Sequence, residues 1–149
     1  MRALILAFVL AWSWSCGPAA AASDIDADTV AAAQALLRWQ VSEHKIAAGA
    51  THCYVSVDQH DLPAETAAAL KDTGIDFLPG STYKAVDPMP HVSHDWIISI
   101  GKPKRQPNGD YQIEWGYYCG ALCASGNTAI ARRDASGWHV AESQMHWVS

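Results

Sequence analysis

The chain has 149 residues, of which half are hydrophobic and 17% are charged. This composition excludes wholesale disorder, and the length suits one domain of ordinary size without room for a second core. Acidic residues outnumber basic ones by 15 to 10. The resulting net charge of −5 argues against a nucleic-acid-binding protein and against a polybasic protein of the membrane surface.

Residues 1–22 have the features of a secretory signal peptide. Arg2 provides a positive charge, residues 3–12 form an apolar core, and three alanines at 20–22 precede a predicted cleavage at Ser23. The apolar core is too short to span a bilayer, although a retained anchor and lipidation of Cys16 stay open as alternatives. We predict that residues 23–149 form a single domain, periplasmic or secreted, with no membrane span in the mature chain.

The predicted mature chain keeps three cysteines, and an oxidising compartment would allow two of them to pair. Three single bridges are conceivable. We favour Cys119–Cys123, because a Cys-x-x-x-Cys pattern at a strand reversal brings the two sulfurs to opposite flanks of a three-residue loop. Cys53 is then an odd thiol that fills space as a small buried hydrophobe.

The first half of the mature chain has mainly helical signals. A helix is predicted over residues 29–48, with Asp28 as its cap and Gly49 as its stop. Its expected apolar stripe consists of Val30, Ala33, Leu37, Val41 and His44, with Leu36 alongside. A strand over 53–57, a second helix from about 61 to 72 and a brief strand over 75–78 follow.

The C-terminal third has the alternation of an antiparallel meander. Strands are predicted at 96–100, 111–117, 128–132, 138–140 and 145–148. Pro107-Asn108-Gly109 marks a hairpin, for which we expect a type I′ turn. The predicted fold class is therefore α+β, with N-terminal helices packed on one face of a curled antiparallel meander sheet.

The segment from Gly116 to Ser149 also carries a resemblance. It contains Gly116-Tyr-Tyr118, Leu122, Ala124-Ser-Gly126-Asn-Thr128, Gly137-Trp138, Val140, Trp147 and Ser149. This skeleton resembles a family of small exported bacterial proteins of unassigned function, for which no catalytic residue can be transferred. Its ending is also similar to the last strands of cystatin-like and nuclear-transport-factor-2-like cones, which concerns architecture alone.

Catalytic and metal-binding patterns are weak. His91 and His94 could meet Cys119, Cys123 and His52 in a zinc site, but two residues between the histidines are fewer than in zinc fingers, and oxidised cysteines do not ligate as thiolates. Cys53 cannot form a dyad with His52, because adjacent strand residues point to opposite faces. We therefore predict no metal, no cofactor and no catalytic residue.

The leading hypothesis is a non-catalytic binding module that holds a protein, peptide or small ligand between sheet and helices. Trp115, Tyr117, Tyr118, His91 and His94 are the candidate ligand-facing residues. The alternative for the aromatic residues is that most of them fill the core. The alternative functions are a small periplasmic enzyme, with or without the assistance of a metal, and an inhibitor of a secreted enzyme.

Overall fold

A computed structural model of the chain describes residues 25–44, 50–85 and 94–149. The predicted signal peptide and His91 lie outside these ranges. The two helices and eight strands are α1 (Ala27–His44), β1 (His52–Val57), β2 (His60–Asp61), α2 (Ala64–Ala69), β3 (Asp76–Pro79), β4 (Asp95–Ile100), β5 (Lys104–Arg105), β6 (Tyr111–Tyr118), β7 (Ala124–Asp134) and β8 (Gly137–Val148). No helix within the described ranges is long and apolar enough to cross a membrane.

All eight strands belong to one largely antiparallel sheet. Its order is β2-β1-β4-β6-β7-β8, with β3 also beside β1 and β5 beside β6. The predicted α+β class is confirmed. The pairing of β1 was not expected, because β1 runs parallel to both β3 and β4. The connection from β1 to β4 contains α2. A long connection of this kind lets the chain travel back along the sheet, so that β4 can start at the same end as β1 and run parallel to it.

The helix α1 covers one face of the sheet with part of the predicted stripe. Ala33, Leu37 and the neighbouring Leu36 are buried as predicted, whereas Val30 and Val41 are only half-buried. Thr29 and Gln40 are buried as well, which was not predicted. The cap is also two residues earlier than expected: Asp26 Oδ1 accepts a hydrogen bond of 2.9 Å from the backbone N–H of Thr29. The helix is therefore rotated so that Gln40 faces the sheet.

The hairpin between β5 and β6 is present, but its turn is not type I′. Gly109 has φ of +89°, whereas Asn108 is not in the positive-φ region that a type I′ turn requires. Pro107 fixes its own φ near −65°, which favours an ordinary turn followed by one left-handed glycine. A turn with two consecutive positive-φ residues occurs instead at Asp58 and Gln59, between β1 and β2.

Strands β7 and β8 form the longest ladder and give the sheet its curl. The segments predicted at 138–140 and 145–148 are parts of the single strand β8. Its pairing with β7 shifts register between Gly126 and Asn127 and again between Ile130 and Ala131. Such bulges bend and twist a strand pair, so this end of the sheet wraps towards α1.

Candidate functional site

A cavity of about 330 Å³ lies between the second half of α1 and the sheet. We call it the cup. Its lining comes from α1 and from strands β4, β6, β7 and β8: Trp39, Gln40, Trp96, Trp115, Tyr117, Asn127, Ser143 and Met145. The volume is at the small end of the range for ligand pockets, and the mixture of aromatic rings with a few polar groups is typical of such pockets.

The alternation of the strands places the aromatic residues on the face that α1 covers. Trp115 and Tyr117 are two residues apart on β6 and therefore point to the same side. Tyr117 pairs with Ile98 on β4, and Trp96 lies two residues before Ile98. Three rings from two adjacent strands consequently form one wall of the cup.

The rings of this wall touch each other at shallow angles. Trp96 and Tyr117 have centroids 4.8 Å apart and planes inclined by 36°, and Trp115 and Tyr117 are 6.3 Å apart at 34°. Trp39 comes from α1 and stands almost perpendicular to Trp115, at 86° and 6.4 Å. Mutual contacts of this kind hold the rings in place, so the shape of the wall does not depend on a ligand.

Gln40 is the most unusual residue of the cup. Its exposure is 1%, yet neither its Nε2 nor its Oε1 has a hydrogen-bond partner within the part of the chain that the structure describes. The indole Nε1 of Trp115 is also buried without a hydrogen-bond partner among the described residues. Buried polar groups in native proteins are nearly always hydrogen-bonded, and an unpaired one costs about 1–3 kcal/mol. Two residues that line the cup therefore have buried polar atoms whose hydrogen-bonding capacity is unused within the described residues.

The other polar groups of the cup are partly used. Asn127 is buried and donates a hydrogen bond of 2.7 Å from its Nδ2 to the hydroxyl of Ser125. Ser143 is an exposed residue of β8 and lies at the solvent side of the cup. Among the described residues that line the cup, none is charged. The described lining of the cup consists of aromatic, neutral polar and thioether side chains.

The structure places only some of the candidate ligand-facing residues from the sequence in the cup. Trp115 and Tyr117 line the cup. Tyr118 points to the opposite face of the sheet and is 36% exposed, and His94 is an exposed residue before β4. His91 lies outside the described residues. The structure thus brings two of the five residues together, and ligand contact by any of them stays a prediction.

Cys53 and His52 lie on opposite faces of β1, as the alternation predicts. Cys53 is buried in the core, and burial, together with the charge of Asp95, raises the pKa of its thiol to about 12. His52 is half-exposed, and its Nδ1 lies 3.0 Å from Oδ1 of Asp95. A thiol with this pKa is protonated at neutral pH and is a poor nucleophile, so Cys53 acts as a packing residue.

Cys119 and Cys123 lie at disulfide-bonding distance, with Cα atoms 5.1 Å apart, and Cys53 is free. The loop between them connects β6 to β7, directly after Tyr117 and Tyr118. The backbone N–H of Cys119 also donates a hydrogen bond of 2.7 Å to the carbonyl of Cys123. This closed loop fixes the end of the strand that carries Trp115 and Tyr117.

Metal-ligating side chains are dispersed in the described parts of the chain. In those parts, no three His, Cys, Asp or Glu side chains lie close enough together to hold a metal ion. His52 is on the side of the sheet opposite the cup, and His94 is an exposed residue before β4. Within the described residues, the structure therefore does not bring Cys119, Cys123, His52 and His94 together as the zinc site that the sequence suggested as an alternative.

Sequence reasoning missed Gln40, Trp39 and Trp96 as parts of the site. A signal for Gln40 was present, because it lies four residues after Leu36 and three after Leu37 and so continues the buried stripe. A polar residue at such a position is the informative exception to the hydrophobic pattern. Trp39 and Trp96 gave no comparable signal, since their meeting depends on how α1 crosses the sheet.

Comparisons of the chain with protein-family models, with curated proteins and with solved structures find no match. The similarity of the C-terminal segment to small exported bacterial proteins, and to cystatin-like and nuclear-transport-factor-2-like cones, therefore stays a prediction.

Proposed function

We propose that the protein is an exported, non-catalytic binding module that holds a small ligand in the cup. One observation carries the proposal: Gln40 lines a cavity together with four aromatic side chains, and its amide is buried without a hydrogen-bond partner among the described residues. A glutamine at this position costs stability, whereas an apolar residue of the same length would not. A ligand that forms hydrogen bonds with the amide would offset this cost in the bound state.

Export is the second part of the proposal. The signal-like residues 1–22 support it. Cys119 and Cys123 at bonding distance also support it, because disulfides persist in oxidising compartments and are rare in the cytosol. The raised pKa of Cys53 favours a binding role over thiol catalysis.

The test replaces Gln40 by methionine, which has nearly the same length and a similar helix propensity. If Gln40 serves a ligand, Gln40→Met should raise the free energy of unfolding by about 1 kcal/mol, because it removes an unpaired buried amide. Urea unfolding followed by circular dichroism measures this change. The matched control is Gln34→Met on the same helix, since Gln34 is half-buried and lies outside the cup.

The control should change the free energy of unfolding by less than about 0.5 kcal/mol. A loss of stability in Gln40→Met, with Gln34→Met unchanged, would show that the amide serves the fold and would contradict the proposal. Native mass spectrometry of the protein purified after export adds a direct measurement: wild type should carry a small non-covalent adduct that Gln40→Met lacks.

A further inference from the structure

Strand β8 has an outer edge with which no other strand pairs among the described residues. It is the last strand of the sheet and is hydrogen-bonded to β7 alone. The outer strands at the opposite side, β2 and β3, have two and four residues, whereas β8 has twelve. Every second N–H and C=O of an outer strand points away from its sheet, so this edge is a template for a further strand.

Most of the features that keep outer strands from pairing with other chains are missing in β8. The strand contains no lysine and no proline, and Glu142 is its only aspartate, glutamate, lysine or arginine. The two bulges against β7 are the one such feature present, and they leave residues 142–145 in regular register between them. Residues 141–149 are all exposed. A long edge of this composition favours the addition of a strand.

The exposed apolar side chains are concentrated at the same corner of the sheet. Among the described residues, the large hydrophobic side chains that are exposed are Tyr118, Leu122, Met145, Trp147 and Val148. Three of them belong to β8, and the other two come from the end of β6 and the loop after it. That loop leads into the start of β7, with which the end of β8 pairs. Exposed apolar residues grouped in this way mark an interaction surface.

The side chains of β8 are complementary to those of a second copy of the same strand. In a two-fold symmetric antiparallel pair with its axis at Gln144, Glu142 lies opposite His146 of the second copy, and the same contact recurs on the other side of the axis. Glu142 pairs with Ile130 of β7, and the Nε2 of His146 lies 2.7 Å from Oγ1 of Thr128. Because these two β7 residues are two apart, the carboxylate and the imidazole stand on one face of the sheet.

Other positions of the axis give a poorer match. An axis at Glu142 places two carboxylates opposite each other, which is destabilising. An axis at Ser143 places Glu142 opposite a neutral amide. The axis at Gln144 gives each carboxylate an imidazole and also places Val148 opposite Val140, so that apolar residues meet apolar residues.

We propose that the protein forms a two-fold symmetric dimer in which the β8 strands of two copies pair antiparallel around Gln144. The sheet then continues across both chains, and the outward backbone groups of the two edges gain hydrogen-bond partners. The exposed apolar side chains of β8 lie in or beside the interface. This dimer goes beyond the proposed function and does not depend on what the cup holds.

Sedimentation velocity over a concentration series tests the dimer with protein purified after export. Wild type should approach twice the monomer mass. Glu142→Lys should weaken association at least about 10-fold, because a cation then faces the imidazole. Adding His146→Glu to that variant should restore association through the exchanged charges. The matched control is Asp76→Lys, which makes the same change of charge on the outer strand β3 and should associate like wild type.

Cross-linking tests the register. Residues that lie opposite each other in antiparallel strands have Cα atoms about 4.5–5.5 Å apart, a distance that a disulfide can bridge. Gln144→Cys should therefore link two copies under oxidising conditions. Ser143→Cys should not, because its two Cα atoms would be about 8 Å apart around this axis.

Three results would overturn the proposed dimer. They are a wild type that stays monomeric at every concentration, a dimer that Glu142→Lys does not weaken, and a dimer that is cross-linked through residue 143 and not through residue 144. The first result would leave the edge of β8 to an extended segment of a different chain. The other two would place the contact between copies at another surface or in another register.

Discussion

The two halves of α1 pack against the same sheet in different ways. The longer first part of α1, residues 27–37, contributes Ala32, Ala33, Leu36 and Leu37, which are fully buried members of a single apolar core. The second half contributes Trp39 and Gln40 and leaves a cavity of about 330 Å³. We call these regions the packed half and the open half. One helix thus joins a region that is filled to a region that is not.

The difference shows that the open half is not a consequence of a weak helix or a short sheet. The strands β6 and β7 continue under both halves, with Tyr111 and Ala131 paired near one end and Tyr117 and Ser125 near the other. What changes is the residue type, from small and aliphatic to aromatic and amide. Rigid rings that contact each other cannot collapse into the space as aliphatic side chains do.

The largest expected effect comes from the packed half. Leu36→Ala should lower the free energy of unfolding by about 2–5 kcal/mol, because it removes buried methyl groups and leaves a cavity. Urea unfolding measures this. The matched change in the open half is Met145→Ala, which should cost less than about 1 kcal/mol since Met145 is 55% exposed. Equal losses would show that the two halves are packed alike.

The second effect concerns the loop that ends β6 in the open half. Replacing Cys119 and Cys123 together by alanine should lower the free energy of unfolding by about 2 kcal/mol, as expected for so short a closed loop. Reductant should produce a similar loss in wild type and none in the double variant. A cross-link between Cys53 and either cysteine in non-reducing peptide mapping would contradict this pairing.

The smallest effect is a loss of folding stability that we expect only at acidic pH, and it concerns the packed half. Hydrogen bonds and the charge of Arg132 lower the pKa of Asp110, at the start of β6. A lowered pKa in the folded state gives stability that is present above the unfolded value of about 3.9 and is lost as the pH falls through the folded value. Wild type should therefore become less stable below about pH 4.

Asp110→Asn should flatten this acid dependence in unfolding measured from pH 7 to pH 3. Asp72→Asn is the comparison, because Asp72 also pairs with an arginine, Arg38, but its side chain is 67% exposed. Solvent screens such a pair, so its effect should be smaller. A larger flattening in Asp72→Asn would contradict this expectation. It would show that the exposed Arg38–Asp72 pair contributes more to the acid dependence of stability than the Arg132–Asp110 pair.

Much of the fold followed from local patterns. The alternation in β6 placed Trp115 and Tyr117 on one face and Tyr118 on the other, because side chains alternate along a strand by geometry alone. The helix α1 and the burial of Ala33 and Leu37 were predicted, but Val30 and Val41 were expected in the same stripe and are only half-buried. The parallel pairing of β1 was also missed, since strand order depends on contacts distant in sequence.

The sequence by itself determined the α+β class, the alternation of the meander and the proximity of Cys119 to Cys123. Each of these depends on a short period or a short separation along the chain. Only the tertiary structure decided that Gln40 lines one cavity with Trp96 and Trp115. This meeting depends on how α1 lies across a sheet curled by the two register shifts of β7 and β8, and a hydrophobic pattern does not encode that angle.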